Sequence, residues 1–199
     1  MNRQFLVTAL VATAAFGSSF AASAQTNAAN TTQRDVKQEQ RIENGLQNGT
    51  ITTRENAELQ RDEAHVDRLQ AKDLKNGALS PAEKAQLTAA QNKASRDIGK
   101  ATHNGIDGNP LSASSQRAQA DTQRNIDQQQ RIANGVRSGS LTNHEAASLE
   151  RGQAHVDRRE ARAGADGHVG AAEQRSIARA DNRQSARIYN KKHNARVKG

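Results

Sequence analysis

The chain has 199 residues, a formal net charge of +8 and no cysteine. The missing thiols exclude a disulfide framework, a thiolate metal site, a cysteine nucleophile and a lipid-modified N-terminal cysteine. Aromatic residues make up only 2% of the chain, and beyond position 20 only Tyr189 is left, so the core must be thin and its stability modest or partner-dependent.

Residues 1–24 read as a cleavable signal peptide. Arg3 supplies the positive start, Phe5–Phe16 the apolar run, and Ala22-Ser23-Ala24 a small-residue cleavage site. That run is shorter than the roughly 20 residues of a membrane span, and no second one follows, so no transmembrane segment is expected. The expected location is the periplasm of a Gram-negative bacterium, with secretion beyond it left open.

The remainder is one unit written twice. TQRDVKQEQRIENG at 32–45 returns as TQRNIDQQQRIANG at 122–135, and AHVDR at 64–68 returns at 154–158. Across a constant offset of 90, 30 of 76 positions are identical between 32–107 and 122–197, far above chance for unrelated segments. The organisation expected is repeat 1 over 25–104, a Gly/Pro/Ser-containing linker over 105–120, and repeat 2 over 121–199. Apolar periodicity predicts an all-α fold, with helices over 31–46, 53–73 and 81–103 and their equivalents 90 residues on. The apolar set is Val36, Ile42, Leu59, Val66, Leu87 and Ile98, matched by Ile126, Ile132, Leu149, Val156, Ile177 and Ile188.

Each repeat contains two helix–loop–helix units. Four twelve-residue stretches align: 44–55, 72–83, 134–145 and 162–173. Position six is always glycine (Gly49, Gly77, Gly139, Gly167), position eight aliphatic (Ile51, Leu79, Leu141, Val169), and position twelve glutamate (Glu55, Glu83, Glu145, Glu173). This pattern resembles the EF-hand family, whose loop has a turn glycine at six and a bidentate glutamate at twelve. The resemblance covers most of the chain after residue 24. It implies two tandem EF-hand-like lobes, with the eighth residues pairing in a short β-bridge. The sequence departs from the family where calcium needs oxygen ligands. Position three holds Leu46, Leu74, Val136 and Gly164, and two loops begin with Lys72 and Arg162. The glutamates have a second explanation. Thr52-x-x-Glu55, Ser80-x-x-Glu83 and Thr142-x-x-Glu145 are capping boxes, and Pro81 suits a first helical position.

Candidate sites are few. A metal reading, for Ca²⁺ or for Zn²⁺ or Cu²⁺, falls on Asp166 with Glu173, or on His65 with His155, which could meet if the repeats pack about a pseudo-twofold axis. Lone helical histidines are more often packing or surface residues. His103-Asn104 and His193-Asn194 suit helix C-termini, and no nucleophile–base arrangement stands out. No cofactor is expected, apart from the weak binding of a divalent metal that the metal reading allows.

Charge is distributed unevenly. Residues 32–107 carry 12 basic and 12 acidic side chains, whereas 122–199 carry 15 and 8. Arg175, Arg179, Arg183, Arg187 and Lys191 recur every fourth residue, which makes a basic ridge along one helix. Such a ridge is either a solvated face or a binding surface for an anionic envelope component or an acidic protein. Without interleaved aromatics, nucleic acid is not the expected partner. The function expected is a non-enzymatic interaction or structural module. The metal-binding protein is the alternative, and oligomeric state stays open.

Overall fold

A computed structural model describes residues 18–77 and 79–194. The described chain is all-helical: α1 (Ser18–Asn48), α2 (Thr53–Asp73), α3 (Pro81–Ala101), α4 (Ala113–Arg137), α5 (Asn143–Ala163) and α6 (Ala171–Lys192), with a short 3-10 turn at Leu74–Asn76 after α2. No strand occurs among the described residues, and no helix there is long and apolar enough to cross a membrane. Arg3 and most of the expected export signal lie outside the described residues.

Local chemistry sets the helix starts. Thr52 Oγ1 accepts the Glu55 N–H while Glu55 Oε2 accepts the Thr52 N–H at 2.8 Å. The same reciprocal box opens α3 at Ser80/Glu83, followed by Pro81, and α5 at Thr142/Glu145. At α6, where Gly170 has no side chain to cap with, Glu173 still accepts the Gly170 N–H at 2.8 Å. Each box satisfies donors that a helix start otherwise leaves open. The four loop glycines all have positive φ, from +68° at Gly139 to +101° at Gly77, a conformation that costs a side-chain-bearing residue.

The aligned twelve-residue stretches are not open loops. α1 runs to Asn48 and α4 to Arg137, so the first positions of those stretches stay helical and only short turns remain. No β-bridge joins the aliphatic eighth positions among the described residues. Ile51 and Leu141 instead fold back on their own helix ends, donating N–H to the carbonyls of Gly45 (3.0 Å) and Gly135 (2.8 Å).

The repeats do not stand apart as two lobes. The most extensive packing is between them, α1 on α4 and α2 on α5. Both pairs run antiparallel. Arg137 Nη2 donates to Gln33 Oε1 at one end of α1/α4, and Gln119 Nε2 donates to Leu46 O at the other. Along α2/α5, Asn143 Nδ2 reaches Gly77 O, while Gly164 lies against Thr53 and Ala57. The result is one six-helix bundle with a pseudo-twofold relation between repeats. The expected linker 105–120 is also shorter. Ser112 caps α4, residues 113–120 are its first two turns, and the Gly108 N–H is held by Gly49 O at 2.7 Å.

All twelve members of the expected apolar set are buried. Each contributes about 1.5–3 kcal/mol by leaving water. One apolar cluster joins Ala28, Ala29 and Leu74 of repeat 1 to Ile132, Leu141, Leu149 and Ile188 of repeat 2. A second cluster, Ile42, Leu46, Ile51, Leu59, Ile98 and Ala101 with Ala118 of α4, belongs almost wholly to repeat 1, so it is the first cluster that locks the repeats together.

Between the apolar clusters lies a buried polar seam. Gln70 donates to Asp35 (Oδ2), and Gln60 Nε2 to Glu39 at 3.1 Å. In repeat 2 the same contacts recur with acid and amide exchanged. Asn125 donates to Glu160 at 3.0 Å, and Gln129 lies close enough to Glu150 to lower its pKa while its Nε2 donates to Asp67 Oδ1 at 3.1 Å. Asp67 and Asp157, acidic in both repeats, lie close enough to shift one another's pKa. Burial raises these carboxyls: Asp35 and Asp157 to about 7, Glu150 to about 8, and Glu39, Glu63, Asp67 and Glu160 well above the carboxylate range. Many oxygens here, including Gln60 Oε1, Gln153 Oε1 and both of Glu63, have no protein donor. The seam is rich in acceptors and short of donors, and a proton on a carboxyl supplies the missing donor.

Candidate functional site

The packing of α5 on α6 leaves an open groove of about 440 Å³ lined by Arg151, Gly152, His155, Val156, Arg158, Ala180, Arg183, Gln184 and Arg187. Four arginines and no carboxylate line it. Arg151 and Arg158 sit two helical turns apart on α5, hence on one face, and Arg183 and Arg187 one turn apart on α6.

Two of these side chains are positioned by the backbone. Arg187 Nη2 donates to Ser148 O at 3.0 Å and to its hydroxyl at 3.2 Å. Arg158 Nε donates to Ala154 O at 2.9 Å. Gly152 makes room for the arrangement. A Cβ there would fall 2.1 Å from Gln184 Oε1 and 2.7 Å from Arg187 Nη1, so any larger residue would displace both. Gln184 in turn donates to Leu149 O at 2.7 Å, closing the groove floor. The His155 imidazole is held below its usual range, first by partial desolvation and then by Arg159, Arg158, Arg162 and Arg183.

An overlapping groove in repeat 1, between α2 and α3, shares the positions of Arg151, Gly152, Arg183 and Arg187 and is lined by Glu55, Glu58, Arg61, Asp62, Lys93, Asp97 and Lys100, among others. Its two lysines are already paired with acids. Lys93 Nζ lies 2.7 Å from Asp62 and 2.9 Å from Asp97, and Lys100 lies 2.8 Å from Asp97. Asp97 is pushed down to about 2 by its bonds to Lys100 and Lys93. At the 90-residue offset, Lys93 becomes Arg183, Asp62 becomes Gly152, Asp97 becomes Arg187 and Glu58 becomes Ser148. The cation is kept while three carboxylates are lost and one guanidinium gained. Among the described residues, none of the ion pairs involves Arg151, Arg158, Arg183 or Arg187.

The basic ridge expected along α6 is therefore divided. Arg175, Arg179, Arg183 and Arg187 are exposed and Lys191 half-buried. Only Arg183 and Arg187 enter the groove. Lys191 lies near enough to Glu145 to help lower its pKa, after the hydrogen bonds from Asn194 and Thr142. The periodicity of α6 alone does not reveal Arg151, Arg158, Gly152 or Gln184. The signal that the sequence does hold is the replacement of Asp62 by Gly152 between repeats. A wider groove beside α4 holds Arg124 and Arg131, but both are committed, Arg131 to Ser185 Oγ at 2.6 Å and Arg124 to Asp181 at 3.7 Å.

The metal candidates do not converge. Asp166 is exposed and accepts the His168 N–H at 2.8 Å, as a turn aspartate does, and Glu173 is engaged by Gly170. His65 and His155 are exposed on α2 and α5. No group of three or more His, Asp or Glu side chains among the described residues is arranged to hold an ion. The helix-end histidines behave as caps, with His103 Nδ1 2.8 Å from Gly99 O and His193 Nδ1 2.7 Å from Tyr189 O. The following asparagines reach back to the box glutamates, Asn104 to Glu55 and Asn194 to Glu145.

No family model, curated protein or solved structure matches this chain.

Proposed function

We propose that this protein is a non-enzymatic interaction module of the periplasm that engages an anionic surface or an acidic partner through its basic C-terminal helix, α6. The observation that carries the reading is the difference between these two grooves. Where repeat 1 pairs Lys93 and Lys100 with Asp62 and Asp97, repeat 2 presents Arg183 and Arg187 with no carboxylate in the groove lining. Unpaired guanidinium groups at one place raise the local potential and draw anions to it. The export-signal pattern at residues 1–24 supports the location. The glycine and glutamate positions resembling EF-hand loops are read as inherited or convergent architecture, with the glutamates serving as caps.

The test is co-sedimentation with lipid vesicles. The protein should bind vesicles containing anionic phospholipid, bind purely zwitterionic vesicles much less, and release as salt rises from low to physiological strength and beyond. Equal binding to both vesicle types, or binding to neither vesicle type nor a soluble acidic protein, rejects the reading.

A further inference from the structure

Resting on the anionic-surface reading and going beyond it, we infer that the α5/α6 groove of repeat 2 is a site for linked phosphates, with Arg151, Arg158, Arg183 and Arg187 holding one phosphate and Arg151 leading to a second.

Three observations carry this inference. First, the groove is built rather than merely charged. Arg187 is fixed by Ser148, Arg158 by Ala154 O, and Gly152 admits Gln184 and Arg187 at distances that no side-chain-bearing residue would allow. Fixed guanidinium groups suit oxyanions that accept paired hydrogen bonds, and phosphate oxygens are such acceptors. Second, the site lacks internal compensation. In repeat 1 the Asp62 and Asp97 carboxylates occupy the place beside the cation. In repeat 2 Gly152 and Arg187 replace them, so an exogenous anion takes the part that Asp62 and Asp97 play in repeat 1. Third, the positive surface continues. Arg151 also lines an adjoining groove with Arg68, Lys72 and Lys75, which again contains no carboxylate. Two adjoining cationic grooves sharing one arginine fit a ligand with two or more phosphates in series better than a single monovalent anion.

The experiment is calorimetric titration of the purified protein with pyrophosphate and tripolyphosphate, using orthophosphate and chloride as controls. Two double variants separate the groove from the general charge of α6. Arg183→Gln with Arg187→Gln removes two cations from the groove. Arg175→Gln with Arg179→Gln removes the same charge from the same helix outside it. Both pairs are exposed, so both variants should keep the wild-type helical melt. Pyrophosphate and tripolyphosphate should bind more tightly than orthophosphate. The groove variant should lose about tenfold or more in affinity, while the outer variant stays within about twofold. Equal losses in both variants overturn the site but leave the α6 surface reading standing. Vesicle binding with no affinity for either linked phosphate likewise overturns the site alone. Failure to bind anionic vesicles, acidic protein and linked phosphates alike removes both.

Discussion

The grooves of the two repeats share a backbone plan and differ in charge. Between α2 and α3, Lys93 is held by Asp62 and Asp97, and Lys100 by Asp97. Between α5 and α6, the same plan carries Arg183, Arg187, Arg151 and Arg158 with no acid in the lining. The fold does not require the cationic arrangement, since repeat 1 folds with the opposite solution. A charge pattern that one copy neutralises and the other leaves open separates a structural feature from one available for binding.

The electrostatic contrast fails if the repeats differ in packing as well as charge. Ile98→Ala and Ile188→Ala remove equivalent, fully buried side chains. Each should cost about 2–5 kcal/mol in denaturant unfolding. A cost confined to one variant would mean that the cores are not equivalent, and the groove difference would then lose its simple electrostatic reading.

A second contrast lies inside, where Glu63 of repeat 1 corresponds to Gln153 of repeat 2. Glu63 is fully buried, and its pKa is raised first by desolvation and then by Glu39, Asp35 and Asp157. A carboxyl raised in the fold stabilises fully below its unfolded value, near pH 4, and that stability is lost as pH rises through the folded value. The raised Asp35, Asp157 and Glu150 act in the same direction, through about pH 7–8. The protein should therefore melt at a higher temperature at pH 5 than at pH 8. Glu63→Gln should recover about 1–3 kcal/mol at pH 8 and flatten the dependence. A melt insensitive to pH across this range would show that the seam carboxyls are not protonated in the fold.

Transplanting the repeat 2 pattern asks whether charge alone distinguishes the grooves. Glu58→Ser, Asp62→Gly and Asp97→Arg together should give repeat 1 a second cationic groove and raise the number of tripolyphosphate sites from one to two. Unchanged stoichiometry would show that charge alone does not make the site. The smallest effect concerns the ion pairs. Lys93→Ala should cost no more than about 1 kcal/mol because the pair is exposed. Arg183→Ala should leave the melting temperature unchanged or slightly raised as repulsion is relieved. A clear loss on Arg183→Ala would reveal a structural partner for this arginine.

Much of the architecture is legible in the sequence because local rules decide it. The boxes at Thr52/Glu55, Ser80/Glu83 and Thr142/Glu145 fix three helix starts through hydrogen bonds within four residues. α2 and α5 occur over the expected ranges, and all twelve expected apolar positions are buried, joined by others such as Leu46, Leu74 and Leu141. The loops are shorter than their turn residues suggest, because Asn44 and Gly45 occupy helical positions and Ile51 packs back against Gly45. The groove is only half legible. Arg183 and Arg187 belong to a visible periodicity, whereas Arg151 and Arg158 join them only when α5 lies beside α6.

The helices, the twofold repetition and the charge imbalance between copies follow from the chain alone, because propensity, capping and net charge act within a few turns. Only the packed molecule decides that α1 lies on α4 and α2 on α5, that Asp35 and Glu160 face amides across a buried seam, and that four arginines converge without an acid. These outcomes depend on contacts between residues tens of positions apart. They are settled by which faces must leave water together, and no local pattern encodes that.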